Sequence, residues 1–400
     1  MTHHFRYLYV ILFCSFTIFS CKPSPKDSVS HDTVFENGYA IIQEKLIDAK
    51  PGSVIDIPAG LYKINRSISL DGISNVTIKG AGKNETILSF LGQTSGAEGL
   101  RITSDSIKLV DFTISDAIGD GIKLQDCKGV HIENVKTTWT QGTKSTNGAY
   151  GFYPVQCQDV LIDNCEAAYA SDAGIYVGQS KNVIVKNCYA HHNVAGIEIE
   201  NCINSEVFDC LMEENTGGLL VFDLPDLELV NGHTTKVYNN KILNNNLKNF
   251  AAEGNMVAII PPGSGVVLLA AKDVEIYNNE ILNHKTFGIG ICSFQLTERK
   301  WKDERYDPFT SDVNIHDNTL KRKTAIPDVT KKFGQMVNLN FPGKPQDILY
   351  DGILEEGNAI DNPMKICIKN NKSENLRFAN IDAANNFKNV NKSLVPYDCI

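Results

Sequence analysis

The stretch Gly174-Ile-Tyr-Val-Gly-Gln-Ser-Lys-Asn-Val183-Ile-Val-Lys-Asn-Cys188-Tyr-Ala-His-His-Asn-Val-Ala-Gly196-Ile-Glu-Ile decides the fold. It holds one period of 22 residues, from Gly174 to Gly196. Within it, Gly-apolar-x-apolar is followed by apolar-x-apolar-x-[Asn/Asp]. The first pattern recurs at Gly99-Leu-Arg-Ile, Gly121-Ile-Lys-Leu, Gly218-Leu-Leu-Val, Gly265-Val-Val-Leu and Gly288-Ile-Gly-Ile, with Gly151-Phe-Tyr-Pro-Val as a variant. The second begins at Val76, Ile107, Val130, Val160, Val183, Ser205, Thr235, Val274, Val313 and Ile366. Each segment alternates with period two, which is a strand with one buried face. None is long enough to be the crossover helix of a βαβ unit. Short strands turning a corner every few residues, about 22 residues per turn, predict an all-β, right-handed parallel β-helix of about ten coils.

Residues of equal phase then stack in space. Asn134, Asn164, Asn187, Asp209, Asn239, Asn278, Asp317 and Asn370 share one phase, which predicts a structural Asn ladder satisfying backbone groups at a corner. Cys165, Cys188 and Cys210 follow that column directly, and Cys127, Cys157 and Cys202 share another, with Ser180 in the gap. Stacked strands align side chains rather than aiming sulfurs at one another, which favours reduced thiols. Neighbouring coils also bring Cα atoms within disulfide range, so a Cys165–Cys188 bridge is the other reading. Without Cys14 and Cys21, nine cysteines remain, and an odd number excludes complete pairing.

Outside the repeat, Arg6 precedes an apolar run from Tyr7 to Phe19, too short to span a bilayer, so residues 1–20 read as a signal peptide. Ser20-Cys21 at the cleavage point resembles a bacterial lipobox, which implies lipidation of Cys21. Plain secretion with Cys21 as a free thiol is the alternative. Residues 21–33, rich in Pro and Ser, form a tether. Both readings put residues 34–400, one β-helix domain, outside the cytoplasm, facing the periplasm or the cell exterior. Tyr39–Ala49 is amphipathic and predicts a helix capping the open end of the coil stack. Insertions fall at Thr138–Ala149, Asp223–Thr234, Lys248–Ser264, Gln295–Ser311 and Arg322–Asn362, and solenoid insertions usually gather on the binding face. A formal net charge of −9 with 21% charged residues argues against a nucleic-acid partner, which needs a basic stripe.

Four phrases carry a resemblance: Tyr150-Gly-Phe-Tyr-Pro-Val-Gln-Cys157, Ser171-Asp-Ala-Gly-Ile-Tyr-Val-Gly-Gln-Ser180, Asn193-Val-Ala-Gly-Ile-Glu-Ile-Glu-Asn201 and Gly217-Gly-Leu-Leu-Val-Phe-Asp-Leu-Pro225. Together they resemble a family of secreted or lipid-anchored parallel β-helix repeat proteins, over roughly Tyr39 to Asn318. Members often neighbour a diheme c-type cytochrome in the genome, which implies a partner. More loosely, the repeat is similar to the pectate-lyase-like superfamily, including alginate and chondroitin lyases and mannuronan C5-epimerases. The epimerases carry Asp-Pro-His-Asp after a Tyr-Gly-Phe-like strand. Here that segment is Tyr153-Pro154-Val155-Gln156, which keeps the Pro and lacks both acids and the His, against epimerase chemistry.

The outward residue of the first pattern gives a column Arg101, Lys123, Tyr153, Tyr176, Glu198, Leu220. A second outward column reads Thr103, Gln125, Gln156, Gly178, Glu200, Phe222. The face is basic at one end, aromatic in the middle and acidic at the other. β-Elimination on a uronic-acid polymer needs a cation on the carboxylate, a base for the C5 proton and an acid for the leaving oxygen. Arg101 and Lys123 suit the first role, and Lys123 or Tyr153 the others. The resemblance implies Ca²⁺, and Glu198 with Glu200 would offer it oxygen ligands. Tyr150 and Tyr176 would stack on sugars, with Gln156, Asp172 and His192 completing the substrate contacts. Asp223 and His233 bracket the Asp223–Thr234 insertion, and either would reach back over the Glu198 end. The readings that follow are a lyase or binder of acidic polysaccharide, and a non-enzymatic scaffold partnering the cytochrome.

Overall fold

The structure, a computed structural model, describes residues 33–355 and 362–399. The sorting signal, Cys21 and all but the last residue of the tether lie outside the described residues. Each coil passes through three strands, for example Ala173–Gly178, Lys181–Lys186 and Tyr189–His191, and returns at Ala195–Glu200 beside its starting point. Among the described residues this builds three all-parallel sheets of eleven strands each. The Gly-apolar pattern marks one sheet, called here the site sheet, and the Asn/Asp pattern marks the second. The third sheet is made mostly of three-residue strands such as Glu166–Ala168, too short for any periodicity to show in the sequence. The helix Gly38–Ile47 buries Ile42 and Leu46 over the first coils, as its amphipathic pattern predicts.

Inside the coil, Ile175, Val177, Val183, Val185, Ala190, Ile197 and Ile199 leave no more than 1% of their surface exposed. The glycine column sets how closely the coils approach at one corner. A Cβ on Gly196 would lie 2.6 Å from the carbonyl oxygen of Gly218, and one on Gly218 would lie 2.6 Å from that of Gly265. Backbone of the next coil fills the place of a side chain. At Gln346–Tyr350 the glycine phase holds Asp347, which is why that strand hides inside the expected insertion 322–362. The same segment also contains the helix Lys332–Asn340.

The Asn/Asp phase sits differently from expectation. Asn134, Asn164, Asn187, Asp209, Asn239, Asn278, Asp317 and Asn370 all have φ between 52° and 55°, the left-handed corner conformation that Asn and Asp tolerate best. The buried ladder is one residue later. Asn240 donates to Asn279, Asn279 to Asn318 and Asn318 to Asn371, each at 2.9 Å. Cys165, Cys188 and Cys210 continue this column, and the Cys210 N–H donates to Asn240 Oδ1 at 3.0 Å. A second ladder, invisible in the sequence pattern, runs Asn193, Asn215, Asn245, His284 at the opposite corner.

Cys127, Cys157, Cys165, Cys188, Cys202, Cys210 and Cys292 are free thiols, so the Cys165–Cys188 bridge does not form. Cys367 and Cys399 pair in a disulfide, which repeat phase gives no means of anticipating because Cys399 lies beyond the coils.

Three of the insertions collect over the site sheet. Residues from 250 to 260, 294 to 306 and 333 to 341 pack on Tyr176, Leu220, Phe222, Val267 and Leu269 as a second apolar core outside the coil.

Two substitutions separate close approach from generic glycine flexibility. Gly196→Ala should lower stability by about 1–3 kcal/mol, because the methyl meets backbone that cannot move alone. Gly92→Ala, with open space around it, should change the denaturation midpoint far less. Equal losses at the two positions would contradict the packing account.

Candidate functional site

Register on the site sheet brings the outward column together. Lys123 pairs with Arg101 and Tyr153 on adjacent strands, and Tyr176 with Glu198, which pairs with Leu220. Tyr150, Tyr153 and Tyr176 form one ring cluster, with centroids 4.5–5.0 Å apart. The Lys123 ammonium stands 5.1 Å from the centre of the Tyr153 ring and 4.0 Å from Glu98.

The face has an open and a covered end. At the open end, Arg101 is exposed and lies 3.7 Å from Asp71. Asp120, one column over beside Tyr150, belongs to this end and escaped the sequence reading. Its signal was available: Asp120-Gly121 opens a repeat, much as Asp172 stands two residues before Gly174. Burial raises the Asp120 carboxyl to about 6, although Lys123 and the Tyr150 N–H pull it back. Burial likewise pushes the Tyr153 phenol to about 12, so it stays protonated and can donate.

At the covered end, Tyr176, Glu198 and Glu200 lie beneath the insertions rather than facing solvent. The Tyr176 hydroxyl donates to Glu200 Oε1 at 2.7 Å, its ring crossing the space over Gly178 that any side chain there would occupy. Asp172 accepts from Asn255 Nδ2 at 3.1 Å. Asp172 Oδ1 and Glu198 Oε2 are buried without a hydrogen-bond partner. Desolvation, reinforced by neighbouring carboxylates, raises Asp172 to about 8 and Glu198 well above its ordinary range. Glu200 rises to about 7, with the Tyr176 bond holding it down. Asp172 therefore holds its proton near neutrality, Glu198 is shifted in the same direction, and Glu200 is near its midpoint.

Two of the expected substrate contacts stand elsewhere. The register pairs Gln125 with Val155, not Gln156. Gln156 occupies the next corner at φ 55° and donates to Glu228 at 2.6 Å. His192 sits at a corner of the third sheet, 3.2 Å from Glu214. Asp223 holds its own insertion, accepting from the N–H groups of Asn231 and Gly232, while His233 faces solvent beside Thr234. Among the described residues no three His, Cys, Asp or Glu side chains converge in ligating geometry. Glu198 and Glu200 would therefore need backbone, water or substrate oxygens to complete a Ca²⁺ shell of six to eight.

Residues 98–233 and 143–293 match the family model described as "Right handed beta helix region". The chain is a right-handed parallel β-helix. Among proteins of similar sequence, the pre-neck appendage protein of Bacillus phage B103 is 28% identical over 185 residues, which are 38% of this chain and 21% of that protein. The chain thus spans about a fifth of that relative's length. Among solved structures, the A-module of mannuronan C-5 epimerase AlgE4 from Azotobacter vinelandii superposes with a TM-score of 0.53 at 16% identity, covering 84% of this chain and 91% of the module. An alginate lyase from Paenibacillus sp. gives a TM-score of 0.46 at 14% identity, covering 73% and 95%. At these identities the shared feature is the fold.

The covered carboxyls give a pH signature. Asp172 keeps its proton to about pH 8 when folded, whereas the unfolded chain releases it in the ordinary carboxylate range. The unfolded state then binds fewer protons, so this group costs stability increasingly as pH rises from about 4 to 8. Asp172→Asn should raise the thermal midpoint relative to the parent at pH 8 and much less at pH 5. A gain independent of pH would contradict the protonated assignment.

Proposed function

We propose that this β-helix acts on an acidic polysaccharide laid across the open end of the site sheet, outside the cytoplasm and tethered there through lipidated Cys21. The observation that carries the reading is the meeting of Lys123 and Tyr153, on adjacent strands, with Asp120 in the turn just before the Lys123 strand. Those three supply what β-elimination requires. Lys123, with Arg101 behind it, would bind and neutralise the uronate carboxylate, which acidifies the C5 proton. Asp120, ionised at neutral pH, would accept that proton. The Tyr153 hydroxyl would donate to the departing glycosidic oxygen, and the C4–O bond would break as the C4–C5 double bond forms. Tyr150 offers a ring for a sugar face. The fold shared with the epimerase module supports a carbohydrate ligand without choosing it. The acidic end of the face repels such a polymer less than its formal charge implies, because burial shifts its carboxyls toward the protonated form and they lie under the insertions.

The test incubates the protein with alginate, pectate and chondroitin, with and without Ca²⁺, and follows the absorbance of unsaturated ends. One of these polymers should yield product, and Lys123→Ala, Asp120→Asn and Tyr153→Phe should each reduce the rate roughly a hundredfold or more. Product formation undiminished by all three would remove the site assignment. Binding without product would support a carbohydrate-binding module instead of a lyase.

A further inference from the structure

Among the described residues, the final coil adds a strand to the site sheet, Gln346–Tyr350, and one to the second sheet, Ile366–Lys369, but none to the third. The last strand of the third sheet, Thr319–Lys321, pairs with Glu280–Leu282 on one side. On its other side the chain makes a single bridge, from Thr319 to Lys372, and the Leu320 N–H donates to the Lys372 carbonyl at 2.8 Å. Residues 373–377 then cross to the strand Phe378–Asn380 of the site sheet. Where another strand would have covered Thr319–Lys321, a concave gap of about 730 Å³ remains.

Cations line this gap, in a chain whose formal net charge is −9. Lys321 and Lys323 come from the end of the strand and the residues after it, and Lys372 and Arg377 flank the crossing segment. Arg322 between them is committed elsewhere. Its guanidinium pairs with buried Asp347 and donates to Ser373 Oγ at 3.1 Å and to the Asn375 carbonyl at 2.6 Å, which fixes the crossing segment against the strand. No described carboxylate pairs with Lys321, Lys323, Lys372 or Arg377; the ion pairs at this end of the molecule are Arg322–Asp347 and Lys365–Asp312. Four uncompensated cations around one concavity repel one another, and an anion seated among them removes that repulsion.

A carboxylate would balance one of these charges. A phosphate monoester carries close to two negative charges at neutral pH and offers three acceptor oxygens. Lysine ammoniums bind such a group as point charges, and the fork of Arg377 can take two of its oxygens at once. The gap is far larger than a bare phosphate and falls within the range of about 300–1,000 Å³ typical of small-molecule sites. Thr319, Thr324 and Glu374 on its wall offer hydroxyls and a carboxylate, which suit sugar hydroxyls rather than an apolar chain. We propose that the gap binds a phosphorylated sugar, with the phosphate among Lys321, Lys323, Lys372 and Arg377. The site lies at the last strand of the third sheet, apart from the column of Lys123 and Tyr153, and does not depend on lyase chemistry.

The experiment titrates the full chain by calorimetry at low ionic strength, with glucose 6-phosphate as the probe. Glucose 6-phosphate should bind, and its affinity should fall as salt rises. Inorganic phosphate and galacturonate should each bind more weakly. Lys321→Gln combined with Lys323→Gln changes two exposed side chains and leaves Arg322 in place; it should weaken binding roughly tenfold or more, and circular dichroism checks that it folds. Arg377→Lys, which keeps the charge and loses the fork, should weaken binding less than Arg377→Gln. Absence of glucose 6-phosphate binding, or equal affinity in the parent and the folded double variant, would overturn the proposal. Galacturonate binding as tightly as glucose 6-phosphate would overturn the choice of phosphate, and inorganic phosphate binding as tightly would overturn the choice of a sugar. Binding to phosphatidic acid vesicles without binding of glucose 6-phosphate would assign the cations to a lipid surface instead.

Discussion

Everything in this molecule depends on the return of the chain to the same column after each coil. Parallel strands on successive coils are held at about 4.8 Å by their backbone hydrogen bonds. The glycine column lets the corner between coils close to that spacing, with the carbonyl of one coil seated where the side chain of another would be. Once this holds, residues far apart in sequence become neighbours with little freedom to choose partners. The same rule produces the Asn ladders, the stacked thiols and the face of Lys123, Tyr153 and Tyr176.

The rule has an electrostatic consequence. Glu198 and Glu200 lie one residue apart on the same side of one strand, with Asp172 close by from the coil before. Insertions then fold over them and remove the water that would screen their charges. Like charges in a dry place settle by holding protons. The open end escapes this because Lys123 and Arg101 occupy the Glu198 column three and four coils earlier, which leaves Asp120 ionised at neutral pH beside a cation. One face therefore carries acids in two protonation states, set by how far the second core extends.

Much of this was legible in the sequence, because period and phase are geometric statements. The two longer strands of nearly every coil, the cap helix and the column from Arg101 to Glu198 followed from spacing alone. Three kinds of feature did not. Strands of three residues, such as Glu166–Ala168, offer too few positions for alternation to register. The strand Gln346–Tyr350 lost its signal because Asp347 stands in the glycine phase. Corner residues such as Gln156 and His192 turn on a single positive φ, which redirects a side chain without any trace in the pattern. Burial of the acidic end depended on loops whose paths the repeat does not govern.

The most direct test of this account is a carboxyl ¹³C titration of glutamate-labelled protein, with the Glu198 resonance assigned through Glu198→Gln. Stacking beneath the second core predicts that Glu198 stays protonated through neutral pH, with its midpoint far above the ordinary glutamate value of about 4.3. A midpoint at that ordinary value would mean that water reaches the column, and the covered, proton-holding end of the site would not exist.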